Sequence, residues 1–323
     1  MRIECLSISK YLNSDQPGDD VPFVLPDRCY AIFDGATDVN GSQIRGVGSG
    51  RFAALTAAAS LASLFSRSAP GALSTDEIVT TINDDLATAL ARESELLGRR
   101  VGASTTMVLV EAVGETLRFT LVGDSGARVN GEEVFQGLKP VDDIMSAGRV
   151  ALYFLLRDRN DGCDLEVKSR RGVFQGFDAA VPELISADES AYLLAQATDM
   201  LKGKLDDGLL QYVAPMLKAG IAKGQYRYAN DPDHPLGYAV INGTKSRGPG
   251  LMSFERPTAS VRSIELFSDG YLDLPEEVSL AAWEETAARI EREDPLKIGK
   301  YPGVKGSSAT QHFDDRTVIV LRQ

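Results

Sequence analysis

Histidine is nearly absent: His234 and His312 are the only two in 323 residues. A Ser-His-Asp triad would have to use one of them, and neither stands beside a serine elbow or in a strand–helix setting. Surface positions are the expected reading for both. Cysteine stops at three, Cys5, Cys29 and Cys163, an odd number without CxxC spacing. That excludes a disulfide framework and a thiolate zinc site, and implies a reducing, intracellular compartment. No Cys is followed by Arg at the sixth position, so the cysteine-phosphatase loop is missing. Long apolar runs are also missing. Ala53–Phe65, the longest tract, is interrupted by Thr56, Ser60 and Ser63 and falls short of the ~20 residues a membrane span needs. The opening MRIECLSISKYLNSD has no apolar core for a signal peptide, and a cytoplasmic protein is expected. Positive charge is in deficit, with a formal net charge of -12, which argues against nucleic acid or an anionic membrane as partner.

Two glycine-rich stretches fail as phosphate loops. Gly46-Val47-Gly48-Ser49-Gly50 has Arg51 where GxGxxG needs its third glycine, so it reads as a lead-in to a helix. Gly243-Thr244-Lys245-Ser246 lacks the earlier glycine of GxxxxGK[ST].

What remains is ordinary globular composition, 43% apolar and 25% charged, with a repeated device inside it. Tyr30-Ala31-Ile32-Phe33 is an apolar strand that stops on Asp34-Gly35; Ile264-Glu265-Leu266-Phe267 leads into Ser268-Asp269-Gly270; and Asp314-Asp315-Arg316-Thr317 opens the strand Val318–Leu321. A short apolar run bounded by turn residues suggests a strand buried on both faces. An acid at its end is held rigidly at the sheet rim, and glycine beside it lets backbone approach closely. One Asp-Gly after a strand is usually just a turn. Three strand-end acids far apart in sequence, meeting through the fold, would make an oxygen-rich site for hard cations such as Mg²⁺ or Mn²⁺.

Along the chain, strands are expected at Arg2–Ser9 and Arg28–Phe33, with Asn13–Pro26 as connector. A helix follows from about Arg51 to Ser66, then a second one capped by Ser74 and Glu77. Ser104–Val110, Leu117–Val122 and Gly126–Val129 read as a strand meander turning at Gly114-Glu115. The stretch from about 139 to 230 reads as an insertion or lid, with a strand at Ala151–Leu156, a helix capped by Ser186 and Glu189, and a helix at Leu209–Ile221. Strand character resumes at Gly237–Ile241 and Ile264–Phe267; Pro275 starts a helix to about Glu291, and a loop at Glu293–Phe313 leads to the terminal strand. Strand, two helices, then hairpins points to a mixed α/β or α+β layered fold rather than alternating βαβ units.

Six segments in this order resemble the metal-dependent protein phosphatases of type 2C. Lys10-Tyr11-Leu12-Asn13-Ser14-Asp15 is similar to the family's Arg-x-x-Asn-x-Asp, and Phe33-Asp34-Gly35 to its Asp-Gly motif. Gly102-Ala103-Ser104-Thr105-Thr106 resembles its Gly-Ser-Thr entry, and Val122-Gly123-Asp124-Ser125 its Gly-Asp-Ser turn. Phe267-Ser268-Asp269-Gly270 and Asp314-Asp315-Arg316-Thr317-Val318 resemble its Ser-Asp-Gly and closing motifs. The resemblance implies one phosphatase-like domain over 1–323, a four-layer α-β-β-α sandwich with two central, mainly antiparallel sheets, and the insertion at about 139–230. It implies two Mg²⁺ or Mn²⁺ ions, with Asp34 bridging both, the Gly35 carbonyl on one, and Asp269 and Asp314 on the other. Asp124 would serve a third ion, Lys10 the substrate phosphate, and Asp15, Asp38 and Asp315 the surrounding shell.

Departures mark a divergent member. Lys10 stands where arginine is usual and cannot make a two-pronged bond to phosphate. Ala36-Thr37-Asp38 replaces a glycine-rich run, and Gly126 follows Gly-Asp-Ser where arginine is common. The expected activity is hydrolysis of phosphoserine or phosphothreonine in a protein substrate. The alternatives are a catalytically silent binding or scaffold relative and a phosphatase of small metabolites.

Overall fold

The computed structural model describes residues 2–36, 43–160, 162–180 and 184–323. The chain divides into two compact units: Met1–Leu138 with Tyr238–Arg289 and Asp314–Gln323, and Lys139–Gly237 with Ile290–Phe313.

The first unit begins with β1 (Arg2–Ile8), β2 (Val21–Leu25) and β3 (Cys29–Phe33), then a small hairpin of β4 (Gln43–Ile44) and β5 (Val47–Gly48). Helices α1 (Ser49–Arg67) and α2 (Thr75–Leu97) follow, then β6 (Met107–Val113), β7 (Thr116–Val122), β8 (Gly126–Val129) and β9 (Glu133–Gln136). In the second unit the helices are α3 (Pro140–Asp158), α4 (Leu165–Gln175), α5 (Phe177–Ala180), α6 (Ala187–Leu201), α7 (Asp207–Leu210) and α8 (Val213–Gly224). The chain ends with β10 (Leu251–Pro257), β11 (Ser263–Phe267), α9 (Leu280–Glu293) and β12 (Arg316–Arg322).

Two antiparallel five-stranded sheets form the first unit's centre, ordered β1-β12-β11-β8-β9 and β10-β7-β6-β3-β2. Side-chain alternation along β3 sets the layers. Cys29, Ala31 and Phe33 join Met107 and Leu109 against α1 and α2, whose buried stripes recur every fourth residue as Ala53, Ala57, Leu61, Phe65 and as Ile78, Ile82, Leu86, Leu90. Tyr30 and Ile32 face the other way and meet Ile264, Leu266, Ile319 and Leu321 of the first sheet. That sheet's outer face, Phe267, Val318 and Val320, packs under Trp283 and Ala287 of α9. The layer order is therefore α-β-β-α, as expected.

Local chemistry explains both agreement and correction. Ser74 caps α2 reciprocally with Glu77, and Ser186 caps α6 with Glu189. Ala151–Leu156, expected as a strand, lies inside α3. A short apolar run reads alike in either state, and Pro140 at the helix start with Asp142 and Asp143 in its first turn decides for helix. The helix expected from Pro275 starts instead at Leu280. Ser279 accepts the Ala282 N–H at 3.2 Å as a cap, while the Pro275 carbonyl accepts from Arg128. The connector Asn13–Pro26 holds an unforeseen edge strand, β2, and β10 was unforeseen too. Gly237–Ile241 supplies isolated bridge residues, among them Ile241 paired with Thr105, instead of a strand. Leu209–Ile221 is split between α7 and α8.

In the second unit α3 packs against α4, α6 and α8. Fully buried Arg149 donates to the Leu296, Lys297 and Gly303 carbonyls at 2.9, 3.1 and 2.9 Å, fixing the loop that follows α9. His234 is half-buried and stacks on Tyr228, with ring centroids 4.3 Å apart.

Candidate metal centre

Each sheet delivers acids to its rim through the same grammar, a strand followed by Asp and a glycine nearby. Asp34 follows β3, Asp124 follows β7 after Gly123, and Asp269 follows β11. One carboxylate oxygen from each lies within 4.8 Å of the others. The three come from two different sheets, so only the sandwich brings them together.

Backbone geometry locks the loops that carry them. The Asp34 carbonyl accepts from the Thr106 N–H and the Thr105 hydroxyl, both at 2.8 Å. Thr106 Oγ1 sits 2.7 Å from Ser125 Oγ, tying that loop to the Asp124 turn. Ser268 Oγ accepts the Thr317 N–H at 2.9 Å and so joins the Asp269 turn to β12. Gly35 and Gly50 touch backbone to backbone: a Cβ on Gly35 would lie 2.4 Å from the Gly50 carbonyl, and one on Gly50 would lie 2.5 Å from the Ala36 carbonyl oxygen. A Cβ on Gly270 would lie 1.9 Å from the Asp315 carbonyl oxygen. Glycine after these acids is required by space.

The electrostatics are those of uncompensated negative charge. Burial, then the charges of Asp20, Asp314 and Asp124, pushes Asp34 well above the usual carboxylate range. Burial, then Asp34, Asp124 and Asp314, does the same to Asp269, and Asp34 and Asp269 are hydrogen-bonded to each other. Asp314 stands outside the trio but acts electrostatically on both, and its Oδ1 accepts the Asp315 N–H at 3.0 Å.

The remaining expected residues fall in different places. Asp315 is buried. Its Oδ1 accepts the Lys10 N–H at 2.7 Å, and its Oδ2 accepts Lys10 Nζ and the Asp19 N–H, each at 2.9 Å. Burial opposes its ionisation, but Lys10 and these N–H donors outweigh it and hold Asp315 below the usual range. Lys10 Nζ is also 2.6 Å from Asp19 Oδ2, with its side chain 5% exposed. Burial alone would lower the Lys10 pKa, yet Asp314, Asp315 and Asp19 together raise it. Asp15 is exposed, in the loop that follows the turn at Asn13 (φ 54°). Asp38 lies outside the described residues.

Asp20 was not foreseen. It is 4% exposed, it is the first charge acting on Asp34, and its Oδ2 is buried without a hydrogen-bond partner among the described residues. Burial, then Asp315, pushes it up to about 7. The register of β2 on β3 explains its position: Val21 pairs with Phe33, so the residue before β2 lies across from the residue after β3. Recognising the hairpin turn at Pro26-Asp27-Arg28 would have exposed this signal.

The donor set fits a hard divalent cation. It is all oxygen and mostly carboxylate, and it holds more negative charge than the nearby lysine offsets, with one buried oxygen unsatisfied.

No family model matches the chain, and no curated protein matches it. Solved structures similar to it include the serine/threonine phosphatase PstP/Ppp of Mycobacterium tuberculosis, at 16% identity over 99% of this chain and 97% of that one, TM-score 0.46. Another is the serine/threonine phosphatase Stp1 of Staphylococcus aureus, at 13% identity over 99% and 94%, TM-score 0.47. A third is the PstP catalytic domain in complex with two manganese ions, at 15% identity over 99% and 96%, TM-score 0.44. These likenesses stand beside the site, and the functional reading rests on the site's own residues. In the order of its motifs and in its two-sheet sandwich, the chain resembles the type 2C serine/threonine phosphatases.

Proposed function

We propose that the chain is a metal-dependent phosphomonoester hydrolase acting on phosphoserine or phosphothreonine in proteins. The supporting observation is the meeting of Asp34, Asp124 and Asp269, with one carboxylate oxygen of each within 4.8 Å of the others. Asp34, the Gly35 carbonyl, Asp269 and Asp314 would hold two Mg²⁺ or Mn²⁺ ions, and Asp124 would serve a third. Such ions, when bound, polarise phosphoryl oxygens and lower the pKa of water toward ~7. The chain's part is rigidity: Thr105 and Thr106 fix the Asp34 loop, and Ser268 fixes the Asp269 turn against β12. The Lys10 ammonium, expected at the substrate phosphate, is shared by Asp19 and Asp315. Its geometry supports a positioning role, holding Asp315 and with it the Asp314 backbone.

Chelated, dialysed protein assayed on p-nitrophenyl phosphate and phosphothreonine peptides should gain activity on adding Mn²⁺. Turnover unaffected by Asp34→Asn or Asp269→Asn would refute the reading.

The engaged Lys10 favours a second reading, a silent relative that binds phosphorylated partners without hydrolysing them. Saturable phosphopeptide binding without turnover at any Mn²⁺ or Mg²⁺ concentration would select it.

A further inference from the structure

Helix α8 is broken at Gly220, whose φ of 70° and ψ of 175° are not helical. Packing dictates the break. A Cβ on Gly220 would lie 2.2 Å from the Gly176 nitrogen, and one on Gly176 would lie 2.2 Å from the Lys218 carbonyl oxygen. Gly176, at φ 88°, ends α4, so the two glycines weld the end of α4 to the middle of α8.

The neighbours of these glycines, Gln175 and Ala219, line a pocket of about 380 Å³ together with Asp178, Lys218, Lys223 and Arg227. In an unbroken helix, side chains five residues apart point about 140° from each other around the axis. Lys218 and Lys223 would then serve different surfaces. The break at Gly220, followed by the 3₁₀ turn Gln225–Tyr228, brings both and Arg227 around one opening.

These three cations have no side-chain hydrogen bond or ion pair among the described residues. Elsewhere in the same unit the opposite holds: Arg149 meets Glu166, Arg159 meets Glu189, Lys204 meets Asp143 and Lys297 meets Glu291. In a protein of net charge -12, three positive charges around one opening, with Asp178 the single acid among the lining residues, are matched to an anion. Asp178, on the same rim and also without a side-chain partner among the described residues, excludes a uniform polyanion.

We propose that this pocket binds the phosphoryl group of a phosphorylated protein segment carrying a basic residue beside the phosphate. A phosphate monoester brings about two negative charges and three acceptor oxygens at neutral pH. Arg227 offers a planar fork, the two lysines point charges, and Asp178 receives the basic neighbour. The site does not depend on hydrolysis and stands whether or not the chain is an enzyme.

The test uses the full chain in chelator, so that no turnover intervenes, titrated calorimetrically with a phosphothreonine peptide containing an adjacent arginine. Controls are its unphosphorylated form and inorganic phosphate. The phosphopeptide should bind at least tenfold more tightly than either control. Binding should fall at least tenfold in the K218A/K223A/R227Q chain and persist in Asp34→Asn. Asp178→Asn should erase the preference for arginine over alanine beside the phosphate. All four side chains are exposed, so unchanged melting curves will verify the fold of each variant. Equal binding by the triple variant, or inorganic phosphate binding as tightly as the peptide, overturns the proposal.

Discussion

Two charge clusters in the first unit are handled in opposite ways. Arg128 and Glu265, side chains 4% and 0% exposed, neutralise one another on the face of the first sheet under α9. Arg128 Nη2 donates to Glu265 Oε1 at 2.6 Å, its Nη1 donates to the Pro275 carbonyl, and Trp283 Nε1 donates to Glu265 Oε1 at 2.7 Å. Around Asp34 and Asp269, by contrast, acids face acids and share a hydrogen bond that requires a proton. A fold can close an ion pair around itself when it needs one for structure. Leaving the second cluster open is the mark of a site completed from outside.

The largest effects belong to the open cluster. Asp34→Asn or Asp269→Asn should reduce Mn²⁺-dependent phosphatase activity by at least ~100-fold, the upper range for losing a residue that only supports a ligand. Either change should also remove the thermal stabilisation given by Mn²⁺. If melting with Mn²⁺ stays unchanged, the two clusters do not differ as described.

The closed cluster should respond in stability alone. Arg128→Met strands the Glu265 charge and should cost about 3–5 kcal/mol in urea unfolding. The double change with Glu265→Leu should recover most of that loss, with the Mn²⁺ shift in melting temperature retained throughout.

A pH titration sharpens the contrast. Asp20 has a folded pKa near 7, against an ordinary value of 3.8. The raised value means that its stabilising proton is fully held below about pH 4 and is lost as pH rises through 7. Chelated protein should therefore lose on the order of 1 kcal/mol per pH unit from this group across that window. Asp20→Asn should flatten the slope, as should added Mn²⁺, because a cation replaces the protons. The smallest expected effect is Gly50→Ala, about 1–3 kcal/mol from overpacking against Ala36, measured by thermal unfolding.

The layers were legible because burial on both faces writes an apolar run, unbroken in β3 and interrupted in β11 only by Ser263 and Glu265. The acids at their ends were legible for the same reason. Edge strands were not: β10 alternates exposed and half-buried residues, and β2 carries a proline. Missing β2 also hid Asp20, since cross-strand register alone places it opposite Asp34. The second unit misled at Ala151–Leu156, because an all-helical cluster and a buried strand use the same residues. Lys10 was found by position in a motif, but its bond to Asp315 spans nearly the whole sequence and leaves no local trace.

The contact of Gly35 with Gly50 also fixes the helix that follows. Sliding α1 by one residue in either direction would bring Ser49 or Arg51 to the point where only hydrogen fits. The helix is thereby indexed to the acid loop like a key cut to one depth. Asp34 sits one residue from that contact, so the register of α1 and the position of the acid are set by the same pair of glycines.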